Sequence, residues 1–429
     1  MVQNNSGKCL KFIYSSIACV IVSCILFVTL EVGARYLFPN NDRLQEILRV
    51  LEQDSILFWR QRENLDTEFQ KTGLKTNFIG LRDEVQNFGK KANLVRVICL
   101  GASPTFGWAV EGEDSYPDQL ENMLNHNPKG KKIYEVINAG VIGYSSYQGL
   151  LFLKNELLRF DPDIITIAYG VNDMDKHRFY RSNGKMDKEL YPKNRSSVFL
   201  ENIFNNSKLV RVCRDFVLYL KGYRKDFSGI KGSTFSDSVR VSPQDYKNNL
   251  DEILKIAKKK GIKIIFIKMP MDLSLPEPIS DQKKLKAEEY LSIGLKLIKA
   301  RAIDQAIANL KKAAINNPYS SEVFYYLGMC YELEKDSLSA KDYFLKAKEA
   351  QAYQHRKDIQ IYQDLMQQLA DTKNIPCLDA MRAVVGSNNK SFFKTPIHPN
   401  ASGHKIIAGL LYDALTDNDY LLNDEENRR

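Results

Sequence analysis

The sequence has no paired cysteine motif, no nucleotide-binding loop and no cluster of metal-ligand residues. Its seven cysteines form no Cys-x-x-Cys pair, and three of them lie in or beside one apolar N-terminal segment. The other four fall mostly inside apolar runs, as buried free thiols do. This usage indicates neither a disulfide framework nor a zinc site, and we expect no metal and no cofactor.

The chain also lacks a large excess of charge of either sign. The 61 Lys and Arg residues barely exceed the 52 Asp and Glu residues, which leaves a net charge of +9. Basic runs such as Lys258-Lys259-Lys260 lie at the polar ends of predicted helices, and no basic stripe alternates with aromatic residues. We therefore expect a solvated surface and no nucleic-acid partner, while a mild affinity for anionic lipid or acidic glycan stays open.

One long apolar run lies near the N-terminus. Residues 12–30 carry no charge and follow Lys8 and Lys11. As a helix this run reaches about 28 Å, enough to cross a bilayer core, and the two lysines favour an inside N-terminus with the rest of the chain exported. We predict an uncleaved membrane anchor over residues 1–35. A cleaved signal peptide and lipidation at Cys24 are the alternatives.

Beyond residue 94 the chain alternates short β-rich runs with helical ones. The predicted strands are Val95–Leu100, Val136–Ile137, Ile164–Tyr169 and Ile262–Lys268. Ser145-x-x-Gln148 is a capping-box pattern that predicts a helix to about Arg159. Strict alternation predicts a three-layer α/β/α fold with a parallel sheet, whose active-site loops follow the carboxyl ends of the strands. Those loops should begin at Gly101, Asn138 and Gly170.

A different, purely helical pattern runs from Ala287 to about Gln351 and repeats with a period of 34 residues. The first set of matched positions is Tyr290, Gly294, Leu297, Ala306, Leu310 and Ala313, and the second is Phe324, Gly328, Tyr331, Ala340, Phe344 and Ala347. This pattern resembles two tetratricopeptide (TPR) repeats, which implies a surface for a protein partner. An ordinary helical hairpin is the alternative, and two repeats are few enough to need packing on a host domain.

Four short motifs carry residues of acyl-transfer chemistry. They are Gly101-Ala102-Ser103, Asn138-Ala139-Gly140, Gly170-Val171-Asn172-Asp173 and His398-Pro399-Asn400. Each motif alone is weak, but their order on one predicted sheet resembles the SGNH/GDSL hydrolase family. The resemblance extends from about Leu57 to Leu415 and includes Gly80-Leu81-Arg82-Asp83. It implies an SGNH/flavodoxin-like parallel sheet. Together with the 34-residue repeats and the apolar run, the predicted fold is this α/β sheet with an inserted all-α TPR pair and an N-terminal transmembrane helix.

The resemblance also implies roles for individual residues. Ser103 would be the nucleophile and His398 the general base, while the Ser103 and Gly140 N–H groups and the Asn172 side chain would form the oxyanion hole. An unactivated serine needs a neighbouring imidazole, and the tetrahedral intermediate needs fixed donors.

The chain departs from the family pattern at two positions. Ala102 replaces the aspartate of the usual Gly-Asp-Ser. Thr395 stands three residues before His398, where the family has the triad aspartate that supports the imidazole. We therefore expect Thr395, Asp173 or Asp379 to orient His398.

Together these features predict a membrane-anchored, exported serine esterase. The predicted division is an anchor over 1–35, hydrolase segments over 36–280 and 356–429, and a TPR-like insertion over 281–355. The resemblance and the predicted location imply short acyl esters of cell-surface or exported glycans, or other small esters, as substrates. The expected location is the bacterial inner membrane, single-pass, with the catalytic domain on the periplasmic side. An O-acyltransferase, a peptidase and a catalytically impaired glycan-binding or scaffolding protein are the alternatives.

Overall fold

A computed structural model describes residues 5–37, 47, 49–85, 87–126, 133–175, 185–190, 195–198, 202, 207–210, 212–213, 239–271, 279–385, 392–395 and 397–417. The chain divides into two compact units, one of residues 1–59 and 192–231 and one of residues 60–191 and 232–429.

The helices are α1 (Asn5–Leu37), α2 (Ser103–Phe106), α3 (Tyr116–His126), α4 (Ser146–Asn155), α5 (Pro243–Lys260), α6 (Asp281–Lys299), α7 (Ile303–Asn316), α8 (Ser321–Leu333), α9 (Ser337–Lys373), α10 (Ala380–Val385) and α11 (Ala401–Asp417). The strands are β1 (Leu51–Asp54), β2 (Phe58–Gln61), β3 (Asp66–Phe69), β4 (Thr72–Lys75), β5 (Leu94–Gly101), β6 (Ile133–Gly140), β7 (Ile164–Ala168), β8 (Lys263–Ile267), β9 (Cys377–Leu378), β10 (Phe393–Thr395) and β11 (His398–Pro399). Short 3-10 turns lie at Gly112–Asp114, Leu157–Phe160 and Asp187–Glu189.

The smaller unit is dominated by α1. Its stretch Tyr14–Leu37 is 24 residues long and apolar enough to cross a membrane, a property that a signal sequence near the N-terminus shares. At 1.5 Å per residue this stretch is about 36 Å long. Near its carboxyl end the Glu31 carboxylate accepts hydrogen bonds from the Lys208 and Leu209 N–H groups and from Ser207 Oγ, at 2.8 to 2.9 Å. These bonds tie α1 to a segment about 176 residues further along the chain.

The larger unit contains a five-stranded parallel sheet in the order β6-β5-β7-β8-β9. In chain order this is 2-1-3-4-5, the doubly wound arrangement, so the order reverses between β5 and β7. Loops at such a reversal diverge to opposite faces and leave a crevice at the carboxyl ends of the strands. Ser103 follows β5 and Asn172 follows β7, which places both residues at this crevice.

Helices cover both faces of the sheet because its strands are almost continuously apolar. On one face α3 and α11 bury Leu120, Leu124, Ile407 and Leu411 against β5, β6 and β8. The opposite face carries α4, α5 and the carboxyl-terminal part of α9. The predicted parallel α/β sheet is therefore confirmed.

Some predicted boundaries were wrong. The capping box at Ser145 and Gln148 forms as predicted, but α4 ends at Asn155 and the chain continues as a 3-10 turn at Leu157–Phe160. Asn138 and Gly140 belong to β6, because β6 pairs with β5 up to Gly101 and Gly140. The second active-site loop therefore begins at Val141.

Between β8 and β9 the chain forms four consecutive helices, α6 to α9. A Cβ built on Gly294 would lie 2.8 Å from Leu310, and one built on Gly328 would lie 2.7 Å from Phe344, so each glycine permits the same close helix approach one period apart. Helix α9 is a single helix of 37 residues. The predicted boundary at residue 355 lies inside this helix, whose carboxyl-terminal part packs on α5 and β9.

Candidate active site

Ser103 is the first residue of α2, directly beyond β5, and it is 7% exposed. Two glycines allow this short helix to sit on the strand ends. A Cβ on Gly140 would lie 2.1 Å from the Phe106 nitrogen, and one on Gly101 would lie 2.0 Å from Thr105 Oγ1. The helix ends after one turn because Gly107 adopts a left-handed conformation, with φ of +83°.

His398 completes the central contact. Its Nε2 lies 2.9 Å from Ser103 Oγ, although the two residues are 295 positions apart. On the other side of the ring, Nδ1 lies 2.7 Å from Thr395 Oγ1. Strands β10 and β11 form a short antiparallel hairpin that pairs Thr395 with His398, which explains why a spacing of three residues produces this contact. His398 is 6% exposed, so the Ser103–His398–Thr395 array is largely shielded from water.

Trp108 lies against the imidazole. The two rings are stacked, with centroids 5.2 Å apart and an interplanar angle of 16°. Phe69 packs edge-on against the indole at 5.1 Å and fixes its orientation. An indole face attracts cations, so this position favours the imidazolium that forms when His398 takes a proton. The sequence analysis gave Trp108 no function, because a linear motif does not show which rings stack.

The predicted oxyanion donors differ in their availability. The Ser103 N–H, at the first position of a helix, has no partner within that helix. Asn172 Nδ2 donates one hydrogen to Tyr144 O at 2.9 Å, which leaves its second hydrogen for a ligand. The Gly140 N–H, in contrast, donates to Asn138 Oδ1 at 3.1 Å. The geometry thus gives Gly140 a packing role beneath α2 rather than the predicted donor role.

Gly143 is a donor that the sequence analysis missed. It occupies the third position of a turn closed by the Tyr144 N–H on Val141 O at 3.2 Å, with φ of +78°, a type II turn that requires glycine there. Among the described residues, no group accepts from the Gly143 N–H. Asn172 bonds to the neighbouring residue Tyr144, so Gly143 and Asn172 lie on adjoining loops.

The two other candidates for orienting His398 have different partners. Asp173 accepts hydrogen bonds from the Ser146 N–H and hydroxyl on one oxygen and from the Gly170 N–H on the other. Asp379 accepts from the Arg382 N–H and forms an ion pair with Lys268 at 3.0 Å. Since both oxygens of each carboxylate are engaged elsewhere, Thr395 is the candidate that the structure brings to His398.

Burial raises the pKa of Asp173 to about 6, although its hydrogen bonds to Ser146 and the nearby charge of Arg240 act in the opposite direction. Its bonds to Gly170 and Ser146 hold the Asn172 loop against the start of α4.

A buried arginine supports the Gly143 loop. Arg240 donates to Gly143 O and to Gln148 Oε1, each at 2.7 Å, and forms an ion pair with Asp187 at 2.8 Å. The side chains of Arg240 and Asp187 are 1% and 0% exposed, and Asp187 also accepts from Ser145 Oγ at 2.7 Å. No local motif marked this pair, because its members lie 53 residues apart.

The Gly80-Leu81-Arg82-Asp83 segment supports the other loops. The Arg82 guanidinium donates to Phe106 O, Gly107 O and Val110 O, which fixes the loop that carries Trp108. Asp83 accepts from the Asn138 N–H at 2.8 Å, and burial raises its pKa to about 7. Among the described residues, no group of three or more His, Cys, Asp or Glu side chains could hold a metal ion.

A model of the GDSL-like lipase/acylhydrolase family matches residues 99–293, a range that includes Ser103, Gly143 and Asn172 and ends before His398. Over this range the chain is similar to that family. No curated protein matches the chain.

Several solved structures are similar to the chain at low identity. A lipase/acylhydrolase from Enterococcus faecalis is 14% identical, with 75% of this chain and 95% of that one covered and a TM-score of 0.34. A catalytic mutant of an acetylxylan esterase from Geobacillus stearothermophilus is 12% identical, with 75% and 94% covered and a TM-score of 0.37. A GDSL-like lipase from Bacteroides thetaiotaomicron is 14% identical, with 75% and 88% covered and a TM-score of 0.32.

Proposed function

We propose that this protein is a membrane-anchored serine esterase that removes short acyl groups from cell-surface or exported glycans. The observation that carries the proposal is the 2.9 Å contact between Ser103 Oγ and His398 Nε2 at the crevice of a parallel sheet. A hydroxyl hydrogen-bonded to an imidazole is the arrangement that activates a serine nucleophile.

The reaction proceeds in two stages. His398 Nε2 takes the Ser103 proton as Oγ attacks the ester carbonyl carbon, and the carbonyl oxygen becomes an anion. The Ser103 and Gly143 N–H groups and the second Asn172 amide hydrogen stabilise that anion, each donor contributing about 3 kcal/mol. The imidazolium then returns its proton to the leaving alcohol, which leaves an acyl-serine. Water, deprotonated by His398, repeats these steps and releases the acid.

Thr395 and Trp108 take over the function of the absent triad aspartate. The Thr395 hydroxyl accepts from Nδ1–H, which selects the tautomer whose Nε2 can receive the serine proton. A hydroxyl supplies no negative charge, and the stacked Trp108 face compensates for part of this deficit.

Helix α1 serves as a retained anchor. The sequence offers only a poor signal-peptidase site, Leu30-Glu31-Val32-Gly33-Ala34. Cleavage after Ala34 would remove Glu31 and leave the Lys208 and Leu209 N–H groups and Ser207 Oγ without their acceptor. Loss of these charge-assisted bonds favours an uncleaved helix. Lys8 and Lys11 orient it with the N-terminus inside.

A thiol engineered at the exposed Asn64 should then be labelled in intact cells, and one at Asn4 should not. The reverse pattern would overturn the proposed topology, and with it the proposal of a glycan substrate.

Helices α6 to α9 form two TPR-like units that recruit a protein partner. The equivalent packing of Gly294 on Leu310 and of Gly328 on Phe344 supports this assignment, because small residues at repeating positions are typical of TPR helix pairs.

The test uses the full-length protein in detergent micelles. It should hydrolyse p-nitrophenyl acetate and react with a serine-directed fluorophosphonate, and Ser103→Ala should abolish both activities. Ser402→Ala, at an exposed position near His398, is the matched control and should retain them. Acyl transfer to a glycan in preference to water would identify a transferase. Failure of both reactions in the parent protein would refute the enzymatic proposal and favour a glycan-binding scaffold.

A further inference from the structure

One buried arginine contacts both of the loops that carry side-chain or backbone donors for the oxyanion. The Arg240 guanidinium donates through Nη1 to Gly143 O at 2.7 Å, on the loop that follows β6. The backbone of the same segment pairs with the loop that follows β7. There the Arg240 N–H donates to Asp175 O at 2.9 Å, and the Val241 N–H donates to Asp173 O at 3.0 Å.

The Gly143 turn needs contacts from outside to fix the direction of its N–H. Gly143 has a φ of +78°, and glycine adopts positive and negative φ with similar ease, so its own backbone does not settle that direction. The Tyr144 N–H closes the turn on Val141 O at 3.2 Å. Arg240 binds the carbonyl of Gly143 itself, and this buried, charge-assisted bond holds the glycine from its other side.

The Asn172 loop is held to the same segment by its carbonyl groups. Asp173 and Asp175 lie one and three residues beyond Asn172, and both of their carbonyls accept from residues 240–241. Asn172 Nδ2 in turn donates to Tyr144 O at 2.9 Å, on the Gly143 loop. A shift of either loop therefore changes the distance between the Gly143 N–H and the second Asn172 amide hydrogen.

The guanidinium is itself fixed in place. Asp187 accepts from Nε at 3.2 Å and from Nη2 at 2.8 Å, and Gln148 Oε1 accepts from Nη2 at 2.7 Å. The Arg240 and Asp187 side chains are 1% and 0% exposed. These bonds use the rigid, planar fork of donors that arginine has. A lysine ammonium is a compact point charge and cannot bind Asp187, Gln148 and Gly143 together.

We propose that Arg240 is a positioning residue for the oxyanion hole, which holds the Gly143 and Asn172 loops at the spacing that aims both donors at one oxygen atom. This role rests on the proposed esterase function. Arg240 touches no reacting atom and acts through the two donors. Its replacement should therefore slow the steps in which the oxyanion forms and leave ester binding nearly unchanged, since a misplacement of about 1 Å can cost about 100-fold in rate.

The test measures kcat and KM for p-nitrophenyl acetate with the full-length protein in detergent. The end point of fluorophosphonate labelling counts the folded active sites, and kcat is expressed per labelled site. Arg240→Lys should lower kcat by about 10- to 100-fold and leave KM within about threefold of the parent value. Asp187→Asn is a second variant that keeps the guanidinium. Its amide cannot accept from both Nε and Nη2, so it should also lower kcat, by a smaller factor.

Arg96→Lys is the matched control for the loss of a buried arginine. The Arg96 side chain is also 1% exposed, pairs with Glu135 and donates to the carbonyls of Gly89 and Phe160. It lies near the start of β5, at the end of the sheet opposite Ser103. Arg96→Lys should lower the melting temperature, whereas its kcat should stay within about twofold of the parent value because the site is distant.

A double-mutant cycle shows whether Arg240 acts through the oxyanion donors. In the Asn172→Ala background, the loss caused by Arg240→Lys should be smaller than in the parent by about threefold or more, because one donor that it positions is already absent. Equal losses in the two backgrounds, or parental kcat in both Arg240→Lys and Asp187→Asn, would overturn the positioning role while the esterase proposal survives. If the parent neither labels nor hydrolyses the ester, the esterase proposal fails and the positioning role fails with it.

Discussion

Replacing Thr395 by valine tests whether a hydroxyl can stand in for a triad carboxylate. Valine has nearly the same shape, so the change removes little besides Oγ1 and its 2.7 Å contact with His398 Nδ1. In the transition state that contact is a hydrogen bond to an imidazolium, a class worth about 1.5–3 kcal/mol. Each 1.36 kcal/mol is tenfold in rate, so Thr395→Val should lower kcat by about 10- to 100-fold.

The assay is hydrolysis of p-nitrophenyl acetate with kcat and KM measured separately. KM should change little, because Thr395 lies behind the imidazole and not beside Ser103. Thr395→Ser retains the hydroxyl, and its kcat should stay within about threefold of the parent value. The serine side chain needs only to adopt the rotamer that points its hydroxyl at His398, which costs little free energy. A fully active valine variant that retains the parental melting temperature would refute the role of Thr395.

Thr395→Asp probes the same contact from the other direction. A carboxylate adds a full negative charge beside the imidazolium and should raise kcat by about tenfold, equivalent to about 1.4 kcal/mol of barrier. Its oxygens lie one bond further from Cβ than Oγ1 does, so the β10–β11 hairpin must open slightly to admit them. An unchanged rate would show that the Thr395 hydroxyl and its surroundings already orient His398 fully.

Three further predictions concern residues around the site. Trp108→Leu should lower kcat by about 5- to 30-fold, since a desolvated cation–π contact is worth about 1–2 kcal/mol; Trp108→Phe, which keeps a ring face, should lose less, and equal losses in both variants would argue against the π interaction. Arg240→Met should lower the free energy of unfolding by about 3–5 kcal/mol in urea titrations, because it leaves Asp187 buried without its partner. Burial lowers the pKa of His404 from an ordinary 6.5 to about 3, so the folded protein keeps this imidazole neutral while the unfolded chain protonates it below pH 6.5. The folded state therefore loses stability as the pH falls from 6.5 toward 3. Relative to His404→Gln, the parent should lose about 1.4 kcal/mol of unfolding free energy per pH unit below 6.5, and parallel pH profiles for the two proteins would contradict this account.

The secondary structure of the sheet could be predicted from local pattern. The strands β5, β7 and β8 are runs of apolar residues bounded by turn signals, and the structure places each of them within one or two residues of the prediction. The capping box at Ser145 and Gln148 also forms, because a cap depends on residues three positions apart. The end of α4 was misjudged because an apolar, helix-like pattern continues through the 3-10 turn at Leu157–Phe160.

The active site could be predicted only in part. Ser103, Asn172 and His398 were predicted from the resemblance of four ordered motifs to the SGNH/GDSL hydrolase family, and the rule that parallel sheets place active sites beyond their carboxyl ends agrees for Ser103 and Asn172. Gly140 was predicted as a donor because it lies in the motif that follows the predicted strand Val136–Ile137, and that motif does not include Gly143, three residues further on. Only the registry of β6 with β5, which carries Gly140 into the sheet, distinguishes them.

The sequence by itself determined the alternation of strands and helices, the apolar N-terminal run and the order of the reactive residue types. Those features depend on neighbours a few positions apart, so periodicity and capping reveal them. Tertiary structure decided which groups meet: Thr395 rather than Asp173 or Asp379 beside His398, and α9 over the Ser103 loop. The contact between Ser103 and His398 joins residues 295 positions apart, and the packing of the sheet and its covering helices creates it.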